Sequence, residues 1–369
     1  MILDPMTDAL VAIRSIQFAA TTALLGAAFF RAFVDVCPRP PSDSFDLLDD
    51  RMGRIFIWAA TLSLLSAIAW LLIEAALMGG VWSDAFNLDV VATVALQTEF
   101  GRLWLVRLAL ALAALIASCL LQRARHRTNA AAILALLSTL LVASLAGTGH
   151  AVAMNGVSRA VAVAAQAVHL VAASVWIGGL LPLGLVLRRA KRGDDPIWLA
   201  AAQRIVPRFS QAALPAVILL GVSGLIASWP LAGGFRGLVM TAYGNVLLAK
   251  LALFGAMIGL AAVNRNCWSA RLKAVGTDAS TGQVSLSALM RNVALEQILA
   301  IGVLVTVGLL GILPPGAEVE RQTMAESPGA PAADNAHPVR LTSTVGSRSD
   351  PRDAMWSGCD SHAAVGARS

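Results

Sequence analysis

The feature that most constrains this chain is a series of eight long apolar runs, which take up most of its 369 residues. A bilayer core about 30 Å thick is crossed by roughly 20 residues of helix, and the runs have that length. They show no period-2 alternation, which argues against the strands of a membrane barrel. We therefore predict an all-α, polytopic transmembrane helix bundle with about eight spanning helices, at residues 8–34, 55–78, 102–122, 129–148, 160–187, 209–229, 241–264 and 291–313.

Composition supports a membrane protein and divides the chain in two. The chain is 57% hydrophobic and 14% charged, whereas a soluble domain carries roughly a quarter charged residues. Residues 1–316 form the predicted membrane domain, in which 79–101 is expected to be an external loop with a short interfacial helix. Asp4 and Asp8 precede the first run where a signal peptide would be basic, so this run should remain as a spanning helix. Residues 317–369, rich in Pro, Gly, Ser and Ala, predict a disordered polar tail.

The distribution of Lys and Arg predicts the orientation. The loops after predicted helices 1, 3, 5 and 7 hold seventeen of these residues, whereas the alternate loops hold only Arg102, Arg159 and Arg236. Because short basic loops stay in the cytoplasm, we expect the N-terminus and the C-terminal tail to lie outside. The net charge of +6 is then a signal of topology in a lipid bilayer. No basic soluble domain is evident, so we expect no nucleic-acid partner.

Ionisable side chains inside the predicted spans are informative, since each costs at least ~2.5 kcal/mol at the bilayer centre and tends to mark function. They are Arg14, Glu74, Arg107, His169, Lys250 and Glu296. The first three fall at similar depth, so we expect an Arg–Glu–Arg ion-pair network near the outer face. Lys250 and Glu296 lie on consecutive helices at depths that differ by roughly 8 Å, which leaves a pair between them open.

Two histidines are candidate metal ligands. His150 ends the fourth span at the outer surface, and Met154 follows four residues later on the same helical face. His169 lies about 13 Å below that surface in the fifth span, with Trp176 at i+7 and Gly178 and Gly179 allowing close helix contact. His and Met suit copper, whereas the structural alternative for His169 is an interhelical hydrogen bond.

The cysteines form no CxxC pair. Cys37, Cys119 and Cys267 fall at predicted cytoplasmic helix ends, where we expect small buried hydrophobes. A thiolate exit site for Cu(I) is the alternative.

Four stretches of sequence resemble one known family. They are GTGHAVA at 147–153, AVHLVAASVWIGGLLPL at 167–183, the run from Arg208 to Arg265 with its FS, YG, K and NR positions, and VALEQILAIGVLVTVGLLGILPP at 293–315. In this order they resemble the CopD/PcoD family of bacterial copper-resistance membrane proteins. The resemblance implies an inner-membrane protein that handles copper with a periplasmic copper-binding partner, CopC, and moves copper inward. The long polar tail departs from the family's usual short ending.

The resemblance implies that His150 and His169 handle copper, with Met154 as a candidate, and from these positions we predict a copper path. Copper would enter near His150 and Met154 and pass to His169 within the bundle. Tyr243 and Lys250 would line or gate the path, with Trp176, Glu74 and Glu296 as further candidates. Asn264 and Arg265 would mark the inner end. We expect no enzymatic activity, and the absence of a GxxxxGK[ST] loop argues against ATP as the energy source.

Two other classes of function stay open. Histidines on neighbouring helices can ligate b-type haem, although the difference in depth between His150 and His169 argues against a shared iron. A copper-responsive sensor or assembly protein without flux is the other alternative, and the sequence does not distinguish it from a transporter.

Overall fold

The computed structural model describes residues 5–34, 43–123, 127–147, 156–192, 196–274, 279–311 and 313–325. Within these ranges the chain is helical, with no strand. The helices are α1 (Pro5–Phe29), α2 (Asp43–Gly79), α3 (Leu88–Gln97), α4 (Glu99–Arg123), α5 (Arg127–Ser144), α6 (Gly156–Ala173), α7 (Gly179–Lys191), α8 (Pro196–Ala232), α9 (Gly234–Met240), α10 (Ala242–Val263), α11 (Ser269–Ala274), α12 (Ala279–Leu310) and α13 (Gly316–Ala325). Short 3₁₀ turns occur at Trp82–Phe86 and Leu145–Gly147.

Eight of the helical segments in the described ranges are long and apolar enough to cross a membrane, which confirms the predicted all-α bundle. They are Pro5–Val34, Leu48–Gly79, Glu99–Gln122, Asn129–Gly147, Arg159–Lys191, Ile197–Trp229, Ala242–Leu272 and Gly282–Leu310. The second and sixth segments begin well before their apolar runs, because the helices continue through the basic residues that precede those runs.

Three π-helical turns interrupt the spans, at Phe30–Val34, Ser174–Gly178 and Asn264–Trp268. The second turn joins α6 to α7, and the third joins α10 to α11, so each pair of helices forms one span. Such turns are frequent at functional sites.

Consecutive spans alternate in direction, so the Lys- and Arg-rich helix ends lie together at one end of the bundle, which we call the basic end. Arg31, after α1, lies 3.8 Å from Asp49 at the start of α2, which joins the first two spans there. Large apolar side chains in the middle of the spans, such as Leu65, Ile116, Leu225 and Ile298, are exposed on the isolated chain. In a bilayer these outward positions face lipid.

Small residues allow α1 to pack closely against the fifth span. A Cβ atom added to Gly178 would lie 2.1 Å from the carbonyl oxygen of Thr22, and one added to Gly26 would lie 2.2 Å from the backbone of Gly178. Gly179 lies against the Phe209 ring of α8 in the same way, 2.6 Å from an added Cβ. The expected close helix contact at Gly178 and Gly179 is therefore present.

The segment between the second and third spans contains the expected short helix, α3. Asn87 caps this helix by accepting a hydrogen bond from the backbone N–H of Asp89 at 3.1 Å. Val94 and Ala95 of α3 are buried in one cluster with Trp70 of α2 and Trp104 of α4. The helix is thereby packed onto the bundle.

The predicted tail begins differently from expectation. Its first residues form α13, Gly316–Ala325, where the sequence analysis predicts disorder from residue 317 onward. The close packing of Gly316 against Ala232 and of Ala317 against Gly233 places the start of this helix beside the end of α8. Residues 326–369 lie outside the described residues.

Candidate functional site

His169 projects from α6 toward α8 and is fixed there by one ring nitrogen. Its Nδ1 lies 3.1 Å from the carbonyl oxygen of Leu220 and 3.3 Å from the hydroxyl of Ser223. Gly224 makes room for the ring, because an added Cβ would lie 2.9 Å from the imidazole Cε1. A carbonyl only accepts, so Nδ1 carries the proton and donates to Leu220, which leaves a lone pair on Nε2.

The hydrogen bond from His169 is the interhelical bond expected as the structural alternative, and it is also what a metal-ligating histidine requires. Such histidines donate their second ring N–H to a carbonyl or carboxylate, which fixes the tautomer and the ring orientation. In the part of the chain that the structure describes, Nε2 of His169 has no hydrogen-bond partner. The local geometry is therefore suited to metal binding through Nε2.

Lys250 of α10 faces His169 and does not pair with Glu296. The ammonium group lies close enough to His169 to act on it electrostatically. Among the described residues, Glu296 instead accepts a hydrogen bond from Asn264 at 2.7 Å, and no ion pair joins it to Lys250. The Lys250–Glu296 pair, which the sequence left open, is therefore not present in the described residues.

Trp176 lies between His169 and a cavity. It is seven residues beyond His169, or about 10 Å along the helix, and belongs to the π turn Ser174–Gly178. Its side chain is 1% exposed and meets the Phe254 ring edge to face, with ring centres 6.0 Å apart. The indole also forms part of the cavity wall.

The cavity has a volume of about 350 Å³ and lies between α7, α8, α10 and α12, toward the basic end. Most of its wall is apolar, from residues such as Leu183 and Val217. Its polar lining comes from Ser210, Asn264, Arg265, Asn266, Ser269 and Glu296. The sequence analysis named three of these residues, Asn264, Arg265 and Glu296, and all three line this one cavity.

A chain of hydrogen bonds fixes the carboxylate in this cavity. Asn292 donates to the amide oxygen of Asn264 at 2.8 Å, and Asn264 donates to Glu296. Glu296 is 2% exposed. Arg265 extends across the cavity to α8, where it donates to the carbonyl and hydroxyl oxygens of Ser210 at 3.0 and 3.1 Å. Asn292 and Ser210 were missed by sequence reasoning, which considered only ionisable groups within the spans.

The expected Arg–Glu–Arg network is replaced by a tryptophan cluster, formed by Trp70 and Trp104 with Arg14, Glu74 and Arg107. The Arg107 guanidinium lies 4.0 Å from the ring centre of Trp104 and donates to the Ser144 carbonyl oxygen at 2.6 Å. Arg14 lies 4.8 Å from the ring centre of Trp70.

Within the tryptophan cluster, Glu74 acts on Arg14 electrostatically, but no ion pair within 4.0 Å joins Glu74 to either arginine in the described ranges. Aromatic faces contact both arginines in place of the carboxylate, while Arg14 Nε, Arg107 Nη1 and one oxygen of Glu74 are buried without a hydrogen-bond partner in the described ranges. Glu74, which the sequence analysis named as a candidate on the path, thus belongs to the tryptophan cluster and not to the lining of the cavity.

Among the remaining candidates, Tyr243 lies in a cluster of its own. Tyr243 is 5% exposed and packs in a small cluster with Ala232 and Leu247 near the start of α10. His150 and Met154 lie outside the described residues, as does Cys37. Cys119 and Cys267 are exposed free thiols, which corrects the expectation that they are buried.

No group of three or more His, Cys, Asp or Glu side chains with metal-binding geometry occurs among the residues that the structure describes. Any metal held at His169 would therefore have few side-chain ligands from these ranges.

Two family models match the chain. The model for the copper resistance protein D-like N-terminal domain matches residues 6–160, and the model for copper resistance protein D matches residues 203–310. No solved structure shows a significant match.

Three curated proteins are similar over most of the chain. "Inner membrane protein YebZ" of Escherichia coli is 32% identical over 305 residues, which are 83% of this chain and 98% of that protein. "Copper resistance protein D" of Pseudomonas syringae is 31% identical over 69% of this chain and 81% of its own length. "Copper transport protein CutJ" of Bacillus subtilis is 30% identical over 68% of this chain, and the match covers 45% of that longer protein.

Proposed function

Because the chain belongs to the copper resistance protein D family of membrane proteins, we propose that it moves copper ions inward across the bacterial inner membrane. The Bacillus relative is named a copper transport protein, and this name supports transport over a role without copper flux. Copper is then the substrate, and no covalent step is required of the protein.

One observation carries the proposal: the orientation of the His169 ring. The bond from Nδ1 to Leu220 presents Nε2 as a neutral nitrogen ligand within a membrane span. Nitrogen of imidazole is a good ligand for copper, and a neutral ligand adds no charge to the bilayer interior when copper is absent.

The proposed path begins at His150 and Met154, continues to His169, and ends in the cavity at the basic end. Trp176 closes the passage between His169 and the cavity, where Glu296 offers the ion a carboxylate. A site that passes ions must bind weakly enough to release them. Lys250 near His169 would serve this purpose when protonated, because its positive charge would repel a copper ion bound to His169.

The donor of copper in this proposal is a soluble periplasmic protein of the CopC type. The proposed orientation places the mouth at His150 in the periplasm and the basic end in the cytoplasm, as the asymmetry of Lys and Arg predicts. Both the N-terminus and the residues after the last span are then periplasmic.

The proposal is tested by copper uptake into membrane vesicles of defined orientation, measured by elemental analysis of the vesicle contents. Vesicles with the protein should accumulate copper faster than vesicles without it, and faster from the periplasmic face than from the cytoplasmic face. Uptake equal to that of empty vesicles in both orientations would contradict transport. An absorbance band of haem in the purified protein would instead support the electron-transfer alternative.

A further inference from the structure

A second groove, separate from the cavity at Glu296, lies between α7 and α12 near the basic end and has a volume of about 590 Å³. Helix α7 contributes residues 184, 188 and 191, which are spaced to share one face. Helix α12 contributes residues 284, 287, 288, 291 and 294, which also follow a single face, and Trp268 adds an aromatic wall. One face of each helix thus lines the same groove.

The groove is cationic, so we name it the cationic groove. Arg188, Lys191 and Arg291 line it, and its lining residues within the described ranges include no Asp or Glu. None of these three side chains forms an ion pair or hydrogen bond with any residue in the described ranges. Three unbalanced positive charges around one opening favour an anionic ligand.

The two arginines lie at the same depth in the bundle. Gly184 faces α12 between Gln297 and Val293, since an added Cβ would lie 3.8 and 3.9 Å from those side chains. Because the helices are antiparallel, Arg188 and Arg291 are each about 6 Å nearer the basic end than this level. Lys191 is about one turn farther out. The three charges therefore lie on the side of the groove nearer the basic end, and the apolar residues Val293 and Ala294 lie on the side nearer the bilayer centre.

The positive-inside rule and the helix dipole explain only part of this arrangement. Arg188 and Lys191 are in the last turn of α7, where cations stabilise a helix C-terminus. Arg291 is well inside α12, far from either end of that helix. The positive-inside rule accounts for the presence of Arg291 at this end of the bundle, but not for its position in the same groove as Arg188 and Lys191.

We propose that the cationic groove binds the phosphate of one anionic phospholipid, such as phosphatidylglycerol. The arginines would hold the phosphate oxygens, while the lipid chains would run toward the bilayer centre and cover the apolar wall near Val293 and Ala294. Basic pockets between spanning helices are suited to such headgroups. A soluble phosphate would leave this wall in contact with water, so the apolar surface favours a lipid.

The bound lipid would join the two helices that also form the cavity at Glu296. Residues of α7 and α12, among them Leu183 and Leu289, line that cavity. A ligand that binds only the folded bundle stabilises it, so the lipid should raise the unfolding temperature.

The test is native mass spectrometry of the full chain in neutral detergent, titrated with phosphatidylglycerol or phosphatidylethanolamine. We expect the anionic lipid to bind in preference to the zwitterionic one. The double variant Arg188→Gln/Arg291→Gln should bind phosphatidylglycerol about thirtyfold more weakly, because two basic contacts are lost. The control Arg102→Gln/Arg236→Gln removes two charges at the opposite end and should bind as the native chain does.

A second variant covers the case in which the double arginine variant does not fold. Ser287→Glu places a negative charge in the groove without removing an arginine, and it should also weaken binding of phosphatidylglycerol. Equal affinity for the two lipids, an equal loss in the control, or unchanged binding in both groove variants would overturn the proposal. Displacement of the lipid by millimolar sodium phosphate would show a phosphate site and would likewise overturn it.

Discussion

At the scale of single residues, two buried side chains, His169 and Glu296, bond to neighbouring helical segments through neutral partners. His169 donates to a carbonyl of α8, and Glu296 accepts from Asn264 in the π turn that follows α10. Both bonds fix a side chain in one orientation within a low-dielectric surrounding, where an unpaired group is costly. The orientation of each group toward a copper ion would therefore be set before the ion arrives.

The bond between Asn264 and Glu296 should be measurable as stability. Asn264→Ala leaves the buried carboxylate without its donor, and we expect a loss of about 1–3 kcal/mol in the free energy of unfolding. In a Glu296→Gln background the same change should cost less, because a neutral amide is less expensive to leave unpaired. Thermal unfolding in detergent measures both values.

The control for this pair is Asn245→Ala, which removes an exposed asparagine from the same helix and should have little effect. An equal cost of Asn264→Ala in both backgrounds would contradict the assigned bond. Lys250→Leu and Glu296→Gln should combine additively, since the structure separates the two charges.

Sequence alone identified most of the residues with buried charge, but not their partners. The sequence predicted an opposite charge as the partner of Arg107 and left a pair of Glu296 with Lys250 open, because charge is visible in a sequence. The actual partners are a tryptophan face and a serine carbonyl for Arg107, and an asparagine for Glu296. Which neutral group lies at the right depth depends on helix rotation, which apolar runs do not reveal.

At the scale of helices, the π turn at Ser174–Gly178 determines the packing of the fifth span. It places Trp176 on the cavity wall and brings Gly178 against α1. The sequence showed that two glycines would permit a close contact, and it showed the position of Trp176 relative to His169. It did not show the π turn, whose extra residue per turn rotates every later side chain.

The close contact at Gly178 should not tolerate a side chain. Gly178→Ala places a Cβ 2.1 Å from the Thr22 carbonyl oxygen, so α1 must move, and we expect a loss of about 1–3 kcal/mol. Gly255→Ala is the matched control, because its Cβ meets no atom within 4 Å. The stabilities of the two variants are compared by thermal unfolding in detergent. Equal stability would show that the contact between Gly178 and α1 is not tight.

At the scale of the whole molecule, hydropathy was sufficient for the fold class and the number of spans. Each predicted run falls on one of the eight spanning segments, because a helix is the only structure that satisfies the backbone of an isolated apolar run in lipid. Long helical extensions beyond the apolar runs, and the helix at Gly316–Ala325, were missed, since hydropathy does not mark where a polar helix continues.

The orientation of the molecule is open to direct measurement. From the Lys and Arg asymmetry we expect a reporter fused at Gly193 to be cytoplasmic and one fused at Gly234 to be periplasmic. Activity-based reporters for the two compartments, such as a cytoplasmic fluorescent protein and a periplasmic phosphatase, give opposite signals at the two sites. Detection of both fusions on the same side would reject the predicted orientation.

The most direct test of the copper path is flux in His169→Asn, normalised to the amount of membrane-inserted protein. The asparagine amide can still donate to the Leu220 carbonyl, but it lacks the Nε2 ligand. We predict native protein levels with copper uptake reduced to that of vesicles without the protein. Ser223→Ala removes the neighbouring hydroxyl and should retain native flux. Unchanged flux per inserted molecule in His169→Asn would contradict the path and leave His169 as an interhelical hydrogen-bond donor.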